Sequence, residues 1–333
     1  MNEVGGRPAS PASGAPLPSS ARPTAQSATS PGVRGAGAAV NSRTAGLVLL
    51  VVLTVVWGTH WAVVKIGLQT MPPLTYATLR VALGLATVLG VLAAQGKLRR
   101  LPRGDVSIVL SVGIGQVAAG VLIMNLALQA VAAGRSSVLV YTMPLWVALV
   151  LLAAYRVRPR RSELAGLVLG IGGLALLLNP AVIDWGNAGE LAGSSALLVN
   201  AVLWAGVTIH VRRHHWILSP LELQPWQLLV ALVPIAIVAF LVEGFRGVDW
   251  HASTVFALLY SAPLATAFGF WASQAVTRAL GAQASATGFL AVPVVGLAAG
   301  SVLLGESLGP VDLLGFALVL AGVAVTSLWP RRG

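Results

Sequence analysis

A few polar side chains are set into sequence that is otherwise almost wholly apolar, and their types define what chemistry is open to them. Arg80 stands about two turns inside such a stretch. A guanidinium there either reaches back along its own stem to the interface or faces a cavity, where it can hold a carboxylate by charge-assisted hydrogen bonds. His60, flanked by Trp57 and Trp61, is either a neutral packing histidine or a proton relay or substrate contact. Gln116, Asn125, Asn200 and Gln274 are uncharged groups that either bond helices together or bond a substrate. Tyr141, Thr142 and Trp271 can line a cavity between apolar walls. Pro144 and Pro293 fall near the middle of their stretches, and each removes a backbone hydrogen bond and frees a carbonyl, as a helix kink does. The candidate substrate-binding set is therefore Arg80, His60, Gln116, Tyr141, Asn200, Trp271 and Gln274, with Pro144 and Pro293 as kinks.

Other residue classes point away from chemistry. The chain has no cysteine, so no thiolate site is open to it. His210, His214 and His215 have no acidic or cysteine neighbour in sequence and read as an interfacial basic cluster, so no metal site is expected. No Gly-rich phosphate loop with a following lysine occurs, so ATP and other cofactors are not expected. No carboxylate lies deep in any apolar stretch, which disfavours a proton antiporter built on a buried Asp or Glu. Lys65, at the end of the first stretch, reads as a snorkelling lysine.

The elements that must carry these residues are membrane helices. Hydrophobic residues make up 56% of the 333-residue chain and charged residues 9%, against about 25% charged in an ordinary globular domain. From Ala45 to Trp329 apolar stretches follow one another, at roughly 45–68, 73–95, 106–128, 136–155, 163–180, 192–212, 220–242, 252–274, 283–304 and 310–329. Their lengths match a hydrocarbon core of about 30 Å at about 1.5 Å per residue. They are too continuously apolar for barrel strands, which alternate. Residues 1–44 are Gly, Pro, Ala, Ser and Thr with a few arginines and no aromatic residue, which predicts a disordered tail.

Charge sets the direction. With the N-terminus inside, inner segments hold fifteen Lys and Arg, from Arg34 to Arg332, and outer loops hold only Arg135 and Arg246. This bias predicts cytoplasmic termini and a multi-pass protein of the plasma (inner) membrane. The net charge of +11 would point to nucleic acid in a soluble protein; in these loops it sets topology instead.

The two halves echo one another. At an offset of 147 residues Trp57 meets Trp204, Lys65 meets Arg212 and Pro73 meets Pro220. At 149, Pro144 meets Pro293, Glu163 meets Asp312 and Gly173 meets Gly322. Each half, 45–180 and 192–329, holds five spans. Five is odd, so the second half enters from the opposite face, the arrangement of secondary transporters with a midplane site between repeats. The expected fold is an all-α integral membrane protein of ten transmembrane helices in two inverted five-helix repeats.

VVWGTHWAVVKIGL (55–68) followed by MPPLTYATLRVALG (71–84) resembles the opening of an EamA-type repeat of the drug/metabolite transporter superfamily. The segment 281–325, with Gly305, Glu306 and Pro310, resembles its close. In the first half the matching corner reads AAYRVRPRRSE, basic and without the Gly-Glu pair. The resemblance implies ten helices, both termini inside and export of small metabolites such as amino acids. The expected function is alternating-access transport, with a small-molecule substrate and the lipid bilayer as partners, no nucleic acid, and a homodimer left open. A membrane scaffold or sensor would not need the repeat. An integral-membrane enzyme would need a clustered acid, base or metal set, which the sequence lacks, so the chain is not expected to be an enzyme.

Overall fold

The computed structural model describes residues 43–156, 161–177, 187–280, 288–289 and 291–328. Nearly all of the expected tail lies outside them. Among the described residues every regular element is helical. In chain order they are α1 (Arg43–Gly67), α2 (Pro73–Ala94) and α3 (Arg103–Ala127), then α4 (Ala133–Val140), α5 (Met143–Tyr155), α6 (Arg161–Leu177) and α7 (Ala188–Arg213). After α8 (Pro220–Val242) comes α9, residues 252–280, then α10 (Ala291–Leu304) and α11 (Pro310–Leu328).

Seven helices are long and apolar enough to cross a membrane: α1, α2, α3, α7 and α8, Ala133–Ala153 across α4 and α5, and Ala252–Ser273 within α9. Leu164–Leu176, Ala291–Leu304 and Pro310–Val325 are shorter apolar helices. The starts follow local chemistry. Pro73 and Pro220 open α2 and α8 at the first helical position, where a missing N–H costs nothing. Ser219 and Glu222 add a capping box to α8, and Asn187 caps α7 through Gly189 N and Glu190 N.

Carboxylates from distant segments satisfy other helix starts, whose first N–H groups have no partner of their own. Glu243 accepts from Leu74 N and Thr75 N at 2.8 and 2.7 Å at the start of α2. Glu306 accepts from Ala133 N and Gly134 N at 2.7 and 3.1 Å at the start of α4. The same Glu306 pairs with Lys65 Nζ at 3.0 Å, and Lys65 also donates to Val131 O. Lys65, at the end of α1, is thus held by a carboxylate and a carbonyl from distant segments, partners that the expectation of a snorkelling lysine did not include. Arg135 pairs with both Glu190 and Asp312. His214 also has an acidic partner that its sequence neighbourhood does not disclose: Nε2 lies 2.9 Å from Oδ1 of buried Asp105, which also accepts from Ile217 N and Leu218 N.

The expected fourth span is broken. Pro144 is the second residue of α5 and follows a turn at Tyr141 and Thr142. Its ring excludes the carbonyl four residues back from helical bonding, and the α-helical pattern is interrupted there within the 21-residue span Ala133–Ala153. Thr142 Oγ1 donates to Leu139 O at 2.6 Å and accepts from Trp146 Nε1 at 3.1 Å across the turn. Pro293 is the third residue of α10, and residue 290, immediately before that helix, lies outside the described set. Two long helices also contain π-helical segments, Ser111–Ala118 in α3 and Tyr260–Phe268 in α9. Periodicity did not disclose these.

Apolar packing surrounds this frame. One buried cluster joins α2, α3 and α8 through residues such as Val81, Ile108, Leu223 and Ile235. A second, with Trp61, Met71, Tyr76 and Leu139, joins α1, α2, α3 and α4. A third joins α4, α5, α6 and α11 through Val138, Leu145, Leu167 and Phe316. Helices α6 and α11 meet at glycine: a Cβ on Gly173 would lie 2.7 Å from Gly315 O, and one on Gly322 2.6 Å from Gly166 O.

Candidate functional site

Six helices converge on a cavity that is open on one side and has about 80 Å³ of water-accessible room. Helix α1 contributes Trp57, His60 and Trp61, which share a face because residues three and four apart are neighbours on a helix. Arg80 comes from α2, and Gln116, Gly120, Val121 and Met124 from α3. Val140 and Tyr141 come from the broken end of α4, Asn200 and Trp204 from α7, and Ala265 and Phe270 from α9. The walls are mostly aromatic and apolar, with a few polar groups between them, the usual make-up of a small-molecule site.

Of the seven sequence-predicted residues the cavity gathers five: Arg80, His60, Gln116, Tyr141 and Asn200. Trp271 packs against Phe268 at 5.8 Å between ring centroids and does not line the cavity; its neighbour Phe270 does. The one-residue difference turns the side chain by about 100°, since a helix has about 3.6 residues per turn. The Gln274 side chain lies outside the described residues. Pro144 does not line the cavity; the turn at Tyr141 and Thr142 that precedes it contributes Tyr141.

Arg80 is 6% exposed. Its Nε donates to Thr266 Oγ1 at 3.0 Å, and Nη1 lies 3.9 Å from Met124 Sδ. Both partners are neutral, and among the described residues no carboxylate forms an ion pair with it. His60 Nε2 and Asn200 Oδ1 are buried and have no hydrogen-bond partner among the described residues. Buried polar atoms of this kind normally find a partner. The cavity thus presents a cation, an amide acceptor and an imidazole nitrogen within aromatic walls.

The two π segments meet the cavity in the same way. Trp57 Nε1 donates to Ala265 O at 3.0 Å, and Trp204 Nε1 donates to Gln116 O at 3.2 Å. Each carbonyl belongs to a π segment, where the regular i to i+4 bonding is disturbed. Trp57 sits against Gly269, and Trp204 against Gly120, where an added Cβ would lie 3.2 Å from its Nε1. The pairs relate by the sequence offsets: 147 for the tryptophans, 149 for the glycines and for Gln116 and Ala265.

The EamA-like transporter family model matches twice, over residues 44–179 and 191–328. The chain belongs to the EamA-like transporter family. It is similar to an uncharacterized transporter, YoaV, of Bacillus subtilis, at 26% identity over 85% of this chain and 97% of that one. It is also similar to a probable amino-acid metabolite efflux pump of Salmonella typhimurium, at 28% identity over 85% of this chain and 95% of the pump. An uncharacterized inner membrane transporter, YedA, of Escherichia coli is 26% identical over 84% of this chain and 89% of its own length. A solved structure titled "Crystal structure of protein" superposes with a TM-score of 0.61 at 20% identity, covering 87% of this chain and 99% of that one; that likeness concerns the fold. The EamA match makes the molecule a membrane transporter in type, and the cavity is the feature in which its cargo can be sought.

For this EamA-family chain, sequence reasoning missed Thr266, which accepts from Arg80, and Ser261 and Tyr76, whose hydroxyls lie 2.8 Å apart. They are small or aromatic hydroxyl residues in apolar helices, and nothing in their spacing announces that they meet. The tryptophan repeat was visible, but its glycine and carbonyl partners were not, because they belong to other helices.

Proposed function

We propose that this protein is a secondary transporter that exports small amino-acid-like metabolites across the plasma (inner) membrane by alternating access. In this reading ten spans form two inverted five-helix repeats, both termini are cytoplasmic, and the substrate sits in the central cavity. The paired bonds from Trp57 to Ala265 and from Trp204 to Gln116 support two like halves. The name of the similar efflux pump supports the substrate class and the direction.

The observation that carries the reading is Arg80, a buried cation in the cavity wall with neutral partners. A guanidinium pairs strongly with a carboxylate in bidentate geometry, and burial strengthens the attraction by excluding water. His60 Nε2 and Asn200 Oδ1 would then meet the substrate's polar groups. The test is efflux from vesicles loaded with the twenty common L-amino acids, each quantified. Arg80→Gln, which copies Gln227 at the offset of 147, is expected to insert normally. It should slow transport of carboxylate substrates at least about tenfold, equivalent to about 1.4 kcal/mol. Wild-type rates in a correctly inserted Arg80→Gln protein would reject the reading.

A further inference from the structure

Behind Arg80 runs a chain of buried hydroxyl groups that the cavity itself does not need. Thr266 Oγ1 donates to Ser261 O at 2.8 Å, across the π segment and five residues back. Its single hydrogen is thereby committed, so it meets Arg80 Nε as an acceptor, at 3.0 Å. Tyr76, one turn before Arg80 on α2, donates its hydroxyl to Ala257 O at 3.0 Å and so accepts from Ser261 Oγ at 2.8 Å. Tyr76, Ser261 and Thr266 are each 0% exposed. Gln224 Nε2 holds the backbone of the same turn, donating to Thr266 O and Ala267 O, each at 3.3 Å.

We propose that Thr266 is the positioning residue for Arg80, fixing the plane of the guanidinium so that its Nη edge is presented to a substrate carboxylate. A guanidinium is a rigid planar fork. One in-plane bond at Nε sets the direction of the other two nitrogens, and Nη1 then lies toward Met124, a lining residue. The inference rests on the substrate role of Arg80 argued above.

A comparison within the chain separates this role from packing. At the offsets that pair Trp57 with Trp204 and Gly120 with Gly269, the counterparts of Tyr76, Arg80, Ser261 and Thr266 are Leu223, Gln227, Val112 and Val117. The π segment Ser111–Ala118 forms with those valines in it, and Leu223, Val112 and Val117 are buried. A π turn against a neighbouring helix therefore does not require hydroxyls at these positions. The polar set occurs only at the contact of α2 with α9, where Arg80 lies, and not at the counterpart contact of α8 with α3.

Vesicles of wild-type protein, Thr266→Val, Thr266→Ser, Arg80→Gln and the Arg80→Gln/Thr266→Val double variant would be loaded with the twenty common L-amino acids and, separately, with their carboxamides. Thr266→Val keeps shape and loses the hydroxyl. It is expected to raise KM for the carboxylates about fivefold or more while the maximal rate stays within about twofold, and to leave carboxamide movement unchanged. Thr266→Ser should restore KM to within about twofold of wild type. In the Arg80→Gln background, Thr266→Val should add nothing, because residues acting through one interaction are not additive. If Thr266→Val does not insert, Thr266→Ala carries the same expectation. A wild-type KM in Thr266→Val, an equal loss on carboxamides, or no rescue by serine would overturn the positioning role. Wild-type kinetics in Arg80→Gln, or no amino-acid efflux by the wild-type protein, would overturn the function proposed above together with it. An impaired Arg80→Gln beside a normal Thr266→Val would overturn the positioning role alone.

Discussion

At the residue scale, the cations within these helices are treated differently. Lys65 has Glu306, and Arg135 has both Glu190 and Asp312. Arg80 has a threonine hydroxyl and a thioether. An arginine at a span centre costs roughly 2.5–3.5 kcal/mol on insertion scales and less toward the interface; Arg80 lies about two turns into α2, and under the proposed function a substrate carboxylate offsets its share of that cost. The indole bonds give a separate prediction. Trp57→Phe and Trp204→Phe each keep a ring but leave Ala265 O or Gln116 O without its donor. An unsatisfied buried group costs about 1–3 kcal/mol, so both single variants should lose comparable stability in thermal unfolding of the detergent-solubilised protein. The double variant should lose more than either single variant, and any departure from the sum measures the coupling through the cavity that both rings line. A negligible change at either tryptophan would show that its carbonyl does not depend on it.

Element structure rests on two backbone devices, one legible in sequence and one not. Gly173 and Gly322, paired in the sequence at the offset of 149, fall at the contact between α6 and α11, which Gly170 and Gly315 complete. A leucine at Gly322 would press against the backbone of Gly170 and Gly166. Backbone cannot rotate aside as a side chain can, so Gly322→Leu is expected to cost about 3 kcal/mol, the upper end for overpacking. That corresponds to a fall of roughly 5 °C or more in the unfolding midpoint, with Gly172→Leu as the control, since nothing lies near its Cβ direction. Equal midpoints for the two variants would refute the contact. The π segments and the break at Tyr141 and Thr142 were not legible. Pro144 signalled a disturbance, but whether a proline bends a helix or ends it depends on partners such as Thr142 and Trp146.

For the whole molecule, the proposal of cytoplasmic termini rests on the unequal basic residues of the loops. The chain has no cysteine, so single cysteines can report each loop without background. With a membrane-impermeant maleimide, cysteines replacing Arg99 and Arg332 should stay unlabelled in intact cells and react after permeabilisation. A cysteine replacing Arg246 should react in intact cells. Labelling at position 99 without permeabilisation would overturn the topology and, with it, the assignment of Lys65, Arg135, Glu306 and Asp312 to the outer end.

The amino-acid sequence alone determined the helical class, the positions of the apolar stretches and the pairing of Trp57 with Trp204, because these depend on composition, length and spacing along one chain. It also singled out Arg80, His60, Gln116, Tyr141 and Asn200, since a polar group inside an apolar stretch is costly wherever it points. Only the tertiary structure decided the direction. It turned Phe270 rather than Trp271 to the cavity, gave Lys65 and His214 their carboxylates from more than a hundred residues away, and set Thr266 behind Arg80. These are matters of helix rotation and of contacts between distant segments, and hydropathy along a chain carries neither.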